Sequence, residues 1–206
     1  MYDLVDDVPV ADIDPGTNVL IAGPPMVGKR ALAYEVLKNG ITRNEGTIVV
    51  TTKDSGDKVL EEFTRNVEAN TDHLGIVDCV TKQRGIGTVD DDPRIKYASS
   101  PVDMTGIGIS LSEFLQEFYE GRGVRKNRVL MHSVSTLLMY SDLQTVFRFL
   151  HVFTGRIQSA DALGLYVIDS TAHDEQTMNT LKQLFDGVIT IGDGADDGPT
   201  IETAGL

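Results

Sequence analysis

The fold of this chain is decided by residues 17–30, Thr17-Asn18-Val19-Leu20-Ile21-Ala22-Gly23-Pro24-Pro25-Met26-Val27-Gly28-Lys29-Arg30. An apolar run, Val19 to Ala22, leads directly into a segment bounded by Gly23 and Gly28. Lys29 follows at once, and apolar side chains then recur at helical spacing. A buried strand, a glycine-bounded loop, a lysine and a helix, in this order, are typical of a phosphate-binding loop.

Each residue type in this loop has a chemical reason to be there. The two glycines lack a Cβ, so the backbone N–H groups can turn inward onto a polyphosphate. The helix start adds the positive end of a dipole, and Lys29 adds a full charge. A plain turn would explain the glycines, but not a lysine where the dipole disfavours a cation unless an anion is bound. The residues predicted to bind nucleotide are Gly23, Pro24, Pro25, Met26, Val27, Gly28, Lys29, Arg30 and Ala31.

Composition limits the classes of partner. The 206 residues predict a single domain, with 31 acidic against 18 basic residues and a net charge of −13. This charge argues against a nucleic-acid surface and is typical of proteins kept soluble in high salt. No apolar run approaches the roughly 18 residues that span a membrane, and no signal-like leader is present. We therefore expect a cytoplasmic protein with no membrane partner.

Apolar strands and amphipathic helices alternate along the chain. Strands are predicted at 19–22, 47–52, 74–80, 95–99, 129–131, 165–168 and 188–191. A first helix is expected to stop at Asn39-Gly40, and capping boxes predict helix starts at 110–113 and 141–144. Residues 81–93 are the best candidate for a mobile loop. This alternation predicts an α/β fold, a mostly parallel sheet with helices on both faces.

The two ends of the chain are predicted to lie outside this alternation. Residues 1–16 form an irregular, acidic lead-in to the first strand, and 192–206 form an acidic turn followed by a possible edge strand. Ligands in such sheets bind beyond the carboxyl ends of the strands. Polar residues follow those ends at Lys53-Asp54, His132-Ser133 and Asp169-Ser170.

In the order of these parts the chain resembles the RecA-superfamily P-loop ATPases, and in particular the KaiC-like group. The residues that carry the resemblance are the Walker A loop 23–29, the strand 47–52 with Lys53-Asp54, and the segment 128–138. The resemblance covers about residues 17–191 and is strongest to a compact subfamily of halophilic archaea of unknown function. It implies a RecA-like core, ATP as ligand with Mg²⁺, and a homo-oligomer.

Three positions depart from the family pattern. Arg30 stands where a Ser or Thr ligates Mg²⁺, and His132 stands where the Walker B aspartate holds the metal. Lys53-Asp54 replaces a pair of glutamates, so Asp54 is the remaining candidate for activating water. Two unit charges about 5 Å apart at an effective dielectric of about 20 interact by about 3 kcal/mol, and a divalent ion roughly doubles this. Losing these ligands therefore predicts weakened Mg²⁺ binding and weak or absent hydrolysis.

Several roles stay open at this stage. Arg30 could reach a phosphate, or turn to solvent or to an acidic neighbour. Asp169 is either a sensor on the following strand, a displaced metal-associated carboxylate, or a cap of the next helix. Ser170 and His173 are further sensor candidates, and Ser133 shares the Walker B position with His132.

Three functions fit these observations. The first is an ATP-binding protein of regulatory or assembly role with weak or no hydrolysis. The second is an active, DNA-linked ATPase of the recombinase type, which the acidic charge disfavours. The third is an interaction protein with a vestigial nucleotide pocket, which the retained Lys29 disfavours.

Overall fold

The computed structural model describes residues 1–10, 12–65, 70–85, 89, 91–192 and 200–206. Within them eight strands form one sheet in the order β4-β3-β2-β5-β6-β1-β7-β8. The strands are β1 Asn18–Gly23, β2 Gly46–Thr51, β3 Leu74–Asp78, β4 Ile95–Tyr97, β5 Asn127–His132, β6 Leu163–Asp169, β7 Gly187–Gly192 and β8 Thr200–Ala204. All neighbouring pairs are parallel except β7 and β8, which are antiparallel.

Seven α-helices connect the described strands. They are α1 Lys29–Thr42, α2 Gly56–Thr64, α3 Thr81–Arg84, α4 Met104–Gln116, α5 Val134–Tyr140, α6 Leu143–Ser159 and α7 Glu175–Lys182. A π-helical turn, Glu117–Gly121, extends α4, and a 3₁₀ turn, Ser170–Ala172, follows β6. Among the described residues, no helix is long and apolar enough to cross a membrane. The predicted α/β fold, a mostly parallel sheet with helices on both faces, is confirmed.

The side chains of the central strands divide between two cores, one on each face of the sheet. Along β1, Leu20 and Ala22 pack into the core beneath α4 to α7, whereas Val19 and Ile21 pack into the core beneath α1 and α2. This alternation follows from the two-residue period of a strand. Because both faces are covered, the strand is fully buried and its sequence is a continuous apolar run.

Helix boundaries differ from the sequence prediction at three places. α1 continues through Asn39 and Gly40 to Thr42, so the predicted stop there is wrong. α4 begins at Met104 with Asp103 as its cap, and Ser110 lies inside the helix rather than at a capping box. α6 is capped by Asp142, one residue beyond the predicted Ser141, and α5 was not predicted.

Asp103 and Arg156 explain why the start of α4 resembles a turn in sequence. A Cβ on Gly106 would lie 2.4 Å from Oδ2 of Asp103, and one on Gly108 would lie 2.8 Å from Nη1 of Arg156. These glycines therefore make room for neighbouring side chains while staying helical. Parts of the predicted loop at 81–93 and of the tail at 192–198 lie outside the described residues, but α3 occupies 81–84.

The amino-terminal lead-in is tied to the sheet edge opposite the phosphate loop. Tyr2 pairs with Ile13 through a β-bridge, and its hydroxyl accepts a hydrogen bond from the Asn127 backbone. Arg128, fully buried, pairs with Glu45 at 2.7 Å and with Asp3 at 3.1 Å. A buried arginine needs such partners because the free-energy cost of removing its charge from water is otherwise not offset.

Candidate nucleotide-binding site

An open cleft of about 700 Å³ lies at the carboxyl edge of the parallel strands. It is lined from the loop and α1 by Met26, Gly28, Lys29, Arg30, Ala31, Tyr34, Glu35 and Lys38. It is completed by Lys53, Asp54, Lys58, Glu62, His132, Val167 and Asp169. The structure therefore brings together Lys29, Arg30, Asp54, His132 and Asp169, five residues that the sequence singled out from four separate segments.

The loop has the backbone geometry that its glycines predict. A Cβ on Gly23 would lie 2.3 Å from the Ile191 carbonyl oxygen, so no larger residue fits there. Gly28 caps α1 with a φ of 95°, in the left-handed region that glycine tolerates. Met26, at the tip of the loop, is fully exposed. No side chain caps α1 and no acidic residue lies in its first turn, so its first N–H groups remain available to an anion.

Lys29 is folded into the loop that precedes it. The side chain is only 5% exposed, and its Nζ donates to the carbonyl oxygens of Gly23, at 2.9 Å, and Pro24. The same Nζ lies 2.8 Å from Oδ1 of Asp169. A cation is thus held at the start of a helix by two carbonyls and one carboxylate.

Asp169 ends β6, which lies between β1 and the strand that carries His132. Its backbone is in register with Gly23 at the start of the loop. Burial tends to raise the pKa of Asp169, but the hydrogen bond and charge of Lys29 outweigh burial and lower it. Its second oxygen lies 3.8 Å from Nζ of Lys53. The side chain makes no capping bond to the following turn, so the cap interpretation is wrong and pairing with lysine replaces it.

Arg30 turns away from the loop toward acidic residues. Its Nη2 lies 2.5 Å from Oε2 of Glu62 and 3.4 Å from Oδ2 of Asp54. Its guanidinium also stacks over the Tyr34 ring, 4.7 Å from the centroid. Of the alternatives open in the sequence, the structure therefore has Arg30 on an acidic neighbour. At the position where P-loop ATPases carry a metal-ligating hydroxyl, this chain therefore has an arginine that pairs with two carboxylates.

Asp54 belongs to the same network. Its Oδ1 accepts from Lys58 at 2.5 Å, in addition to the contact with Arg30. Burial acts to raise the pKa of Asp54, yet the Lys58 hydrogen bond and the charges of Arg30 and Lys58 lower it. The carboxylate is therefore ionised and shared between two cations, which weakens it as a base for water.

His132 is a neutral side chain in a charged cleft. It is 5% exposed, and burial, followed by the charges of Lys53 and Arg30, lowers its pKa to about 4. Its Nδ1 has no hydrogen-bond partner in the part of the chain that the structure describes. At neutral pH the imidazole therefore carries no charge, in contrast to the carboxylate expected at a Walker B position.

Two further positioning residues were missed by sequence reasoning. The Thr52 hydroxyl donates to the His132 carbonyl at 3.1 Å and accepts from the Ser133 amide at 2.8 Å, which holds the end of β5. Ser135 Oγ accepts from the Asp169 amide at 2.9 Å and lies 2.8 Å from Nε2 of His173. The Ser-x-Ser pattern at 133–135 was the available signal for Ser135.

The remaining predicted residues lie beside the cleft. Ser133 is buried, and its hydroxyl has no partner among the described residues. His173 is half-buried on Ser135, and Ser170 is half-buried in the 3₁₀ turn. The predicted residues that are not among the lining residues of the cleft in the described chain are Gly23, Pro24, Pro25, Val27, Ser133, Ser170 and His173.

The donor groups of the cleft do not suit Mg²⁺. This ion prefers oxygen ligands in a near-octahedral shell. Asp54 and Asp169 are each shared between two cations, and His132 offers only a nitrogen. No group of three potential metal ligands is found within the described ranges. Its described lining has five basic side chains, Lys29, Arg30, Lys38, Lys53 and Lys58, against four acidic ones, Glu35, Asp54, Glu62 and Asp169.

The sheet order and the loop define a RecA-like α/β protein, and the comparisons with solved structures agree. The uncharacterized protein PH0321 from Pyrococcus horikoshii, solved in complex with an unknown peptide, superposes with a TM-score of 0.72 at 12% identity. That match covers 94% of this chain and 84% of the other. The KaiC-like protein PH0186 from Pyrococcus horikoshii OT3 superposes with a TM-score of 0.63 at 11% identity, over 98% and 88% of the two chains. The KaiC-like fold is thereby confirmed.

The chain belongs to DUF7504, a family of unknown function, which it matches over residues 16–191. No curated protein sequence matches it.

Proposed function

We propose that this protein binds a nucleoside triphosphate, ATP in the first instance, as a regulatory or assembly ligand, with weak or no hydrolysis. The observation that carries the proposal is the placement of Lys29. This lysine is buried at the first residue of α1, inside a glycine-bounded loop, where a helix dipole disfavours a cation. An anion bound in the loop would offset the unfavourable interaction between the lysine and the helix dipole. In the structure, the carboxylate of Asp169 supplies the negative charge next to Lys29.

The charge of the cleft supports an anionic ligand. The whole chain carries −13, yet among the described residues the side chains that line the cleft carry five positive and four negative charges. A local excess of positive charge on an acidic protein concentrates anions there. The strongly acidic remainder supports the expectation of a protein that works at high salt, as in halophilic archaea.

The chemistry of the cleft opposes turnover. Phosphoryl transfer depends on positioning and on neutralising the charge of the phosphates, usually with a metal ion. Compared with the pattern of the KaiC-like P-loop ATPases, Arg30 replaces a hydroxyl, and His132 and Lys53 each replace a carboxylate. A bound nucleotide therefore acts by mass action, stabilising the conformation or the assembly that binds it.

A calorimetric titration of the full chain with ATP in EDTA tests the proposal, with Lys29→Ala as the binding-deficient variant. We expect saturable binding by the wild type and at least a tenfold loss in Lys29→Ala. The control is Lys182→Ala, the same change in charge at the last residue of α7, outside the cleft. Absence of binding by the wild type in EDTA and also in excess Mg²⁺ would contradict the proposal and favour a vestigial pocket.

Phosphate release and DNA binding separate the remaining alternatives. We expect phosphate release at background in the presence of ATP and Mg²⁺, and no DNA binding across a salt series. Turnover that Lys29→Ala abolishes would favour the recombinase-type ATPase. Sedimentation with and without ATP measures whether the ligand drives the homo-oligomer that the resemblance implies.

A further inference from the structure

Two lysines share the carboxylate of Asp169. Nζ of Lys29 lies 2.8 Å from Oδ1, and Nζ of Lys53 lies 3.8 Å from Oδ2. The two ammonium groups are therefore held on either side of one small anion. A terminal phosphate also presents several oxygens to its surroundings and carries more negative charge than a carboxylate. It can exchange with Asp169 and keep both lysines as partners.

His132 places a neutral side chain, not a carboxylate, at the same cleft. The side chain is 5% exposed and lines the cleft, and its Nδ1 has no partner among the described residues. An unpaired buried polar atom costs free energy, so such groups are normally hydrogen-bonded. A neutral imidazole can donate one N–H, although Nδ1 of His132 has almost no surface exposed to the cleft. It gives Mg²⁺ no oxygen ligand and no negative charge.

A divalent cation in the cleft would be repelled by the basic side chains around it. Lys29, Arg30, Lys53 and Lys58 all line the cleft, and each is paired with one of its carboxylates. For Mg²⁺ to bind Asp54 or Asp169, it would have to take the carboxylate from two cations and then lie beside them. A metal-free polyphosphate competes with the carboxylates for these cations, and the side chains themselves then supply the positive charge.

We infer that the cleft selects the metal-free form of the nucleoside triphosphate, with Lys29 and Lys53 supplying the charge that a metal ion supplies elsewhere. Mg²⁺ then opposes binding, because it converts the free ligand into a complex that the cleft rejects. This inference rests on the proposed function and goes beyond it. A nucleotide-binding cleft could equally prefer the magnesium complex or be indifferent to the metal.

Calorimetry of the full chain with ATP tests the inference directly. One titration contains EDTA, and the other contains Mg²⁺ in excess over ATP with ionic strength matched by KCl. We expect the apparent dissociation constant to rise at least tenfold in Mg²⁺. Equal affinity in the two buffers, or tighter binding in Mg²⁺, overturns the inference and leaves the proposed function intact. Absence of binding in both buffers overturns both.

Lys53→Glu gives a second, independent readout. The side chain is 47% exposed, so its replacement leaves the core unchanged. The metal-free affinity should fall at least tenfold, and added Mg²⁺ should now tighten binding rather than weaken it. Lys182→Glu is the matched control, since it changes the net charge equally at the last residue of α7, which is not among the described residues that line the cleft. An unchanged magnesium response in Lys53→Glu contradicts the role of Lys53.

Discussion

Nζ of Lys29 and Oδ1 of Asp169 lie 2.8 Å apart, so an ion pair joins the first residue of α1 to the last residue of β6. The lysine is 5% exposed and the carboxylate 21%, which makes the pair largely shielded from solvent. Any phosphate that enters the loop must take Lys29 from Asp169. The carboxylate of Asp169 therefore competes with a bound phosphate for Lys29, and replacing Asp169 tests this competition.

Asp169→Asn should tighten ATP binding. The amide cannot compete as an anion for Lys29 and Lys53, so we expect a gain of up to about tenfold, equivalent to about 1.4 kcal/mol. Calorimetry in EDTA measures the change. Asp174→Asn is the matched control, because it removes one charge while asparagine still caps α7. Weaker binding by Asp169→Asn would show that the carboxylate assists the ligand.

His132 should make the protein lose stability in mild acid. Its pKa is lowered to about 4 in the folded chain from an ordinary value near 6.5, chiefly by burial and by Lys53 and Arg30, against the opposite effect of Asp54 and Asp169. The unfolded chain binds the proton at a higher pH than the folded chain does. The free energy of unfolding should therefore fall as pH decreases from about 6.5 to about 4, by up to about 3 kcal/mol.

Urea unfolding of wild type and His132→Gln at several pH values isolates this contribution. Carboxylates with lowered pKa, such as Asp169, also lose their stabilising effect in acid, so the informative quantity is the difference between the two proteins. That difference should change steadily across the interval between pH 6.5 and 4. Parallel stability curves would contradict a buried, neutral His132.

The fold could be predicted because each central strand is buried on both faces and so appears as an uninterrupted apolar run. Helix boundaries were harder to predict where a glycine is present because of a tertiary contact and not because of a turn. Gly40, Gly106 and Gly108 resemble stop signals or turns, yet all three lie inside helices, where their missing side chains admit Arg128, Asp103 and Arg156. The contacts of Gly40 with Arg128 and of Gly108 with Arg156 join segments that are distant in sequence, and no local pattern reveals them.

The clustering of the candidate site residues was predictable from the sequence, but their pairings were not. Strand ends place Lys29, Asp54, His132 and Asp169 at one edge of the sheet, as expected for parallel strands. That Lys29 pairs with Asp169, and Arg30 with Glu62, depends on side-chain directions across different elements. The sequence therefore predicts which groups meet, and the structure determines which charges cancel.

Arg30→Ser should not restore ATP hydrolysis. The substitution returns a hydroxyl to the position after Lys29, but neutral His132 and cationic Lys53 still oppose a metal ion. We expect phosphate release to stay at background, and stability to fall by no more than about 1 kcal/mol, since the ion pairs of Arg30 are partly exposed. Turnover in this single variant would show that Arg30 alone blocks the chemistry. The triple variant with Lys53→Glu and His132→Asp is the comparison.

Gly40→Ala and Gly155→Ala should change stability in opposite directions. A Cβ at Gly40 would lie 2.8 Å from Cδ and Nε of Arg128, which is fully buried and fixed by Glu45 and Asp3. We expect a net loss of about 1–3 kcal/mol from this overpacking, despite the better helix propensity of alanine. Outside its own helix backbone and chain neighbours, a Cβ at Gly155 in α6 meets no described atom within 4 Å, so alanine there should add about 0.5–1 kcal/mol. Urea unfolding at neutral pH measures both, and a shift of the same sign in the two variants would contradict the packing of Arg128 against α1.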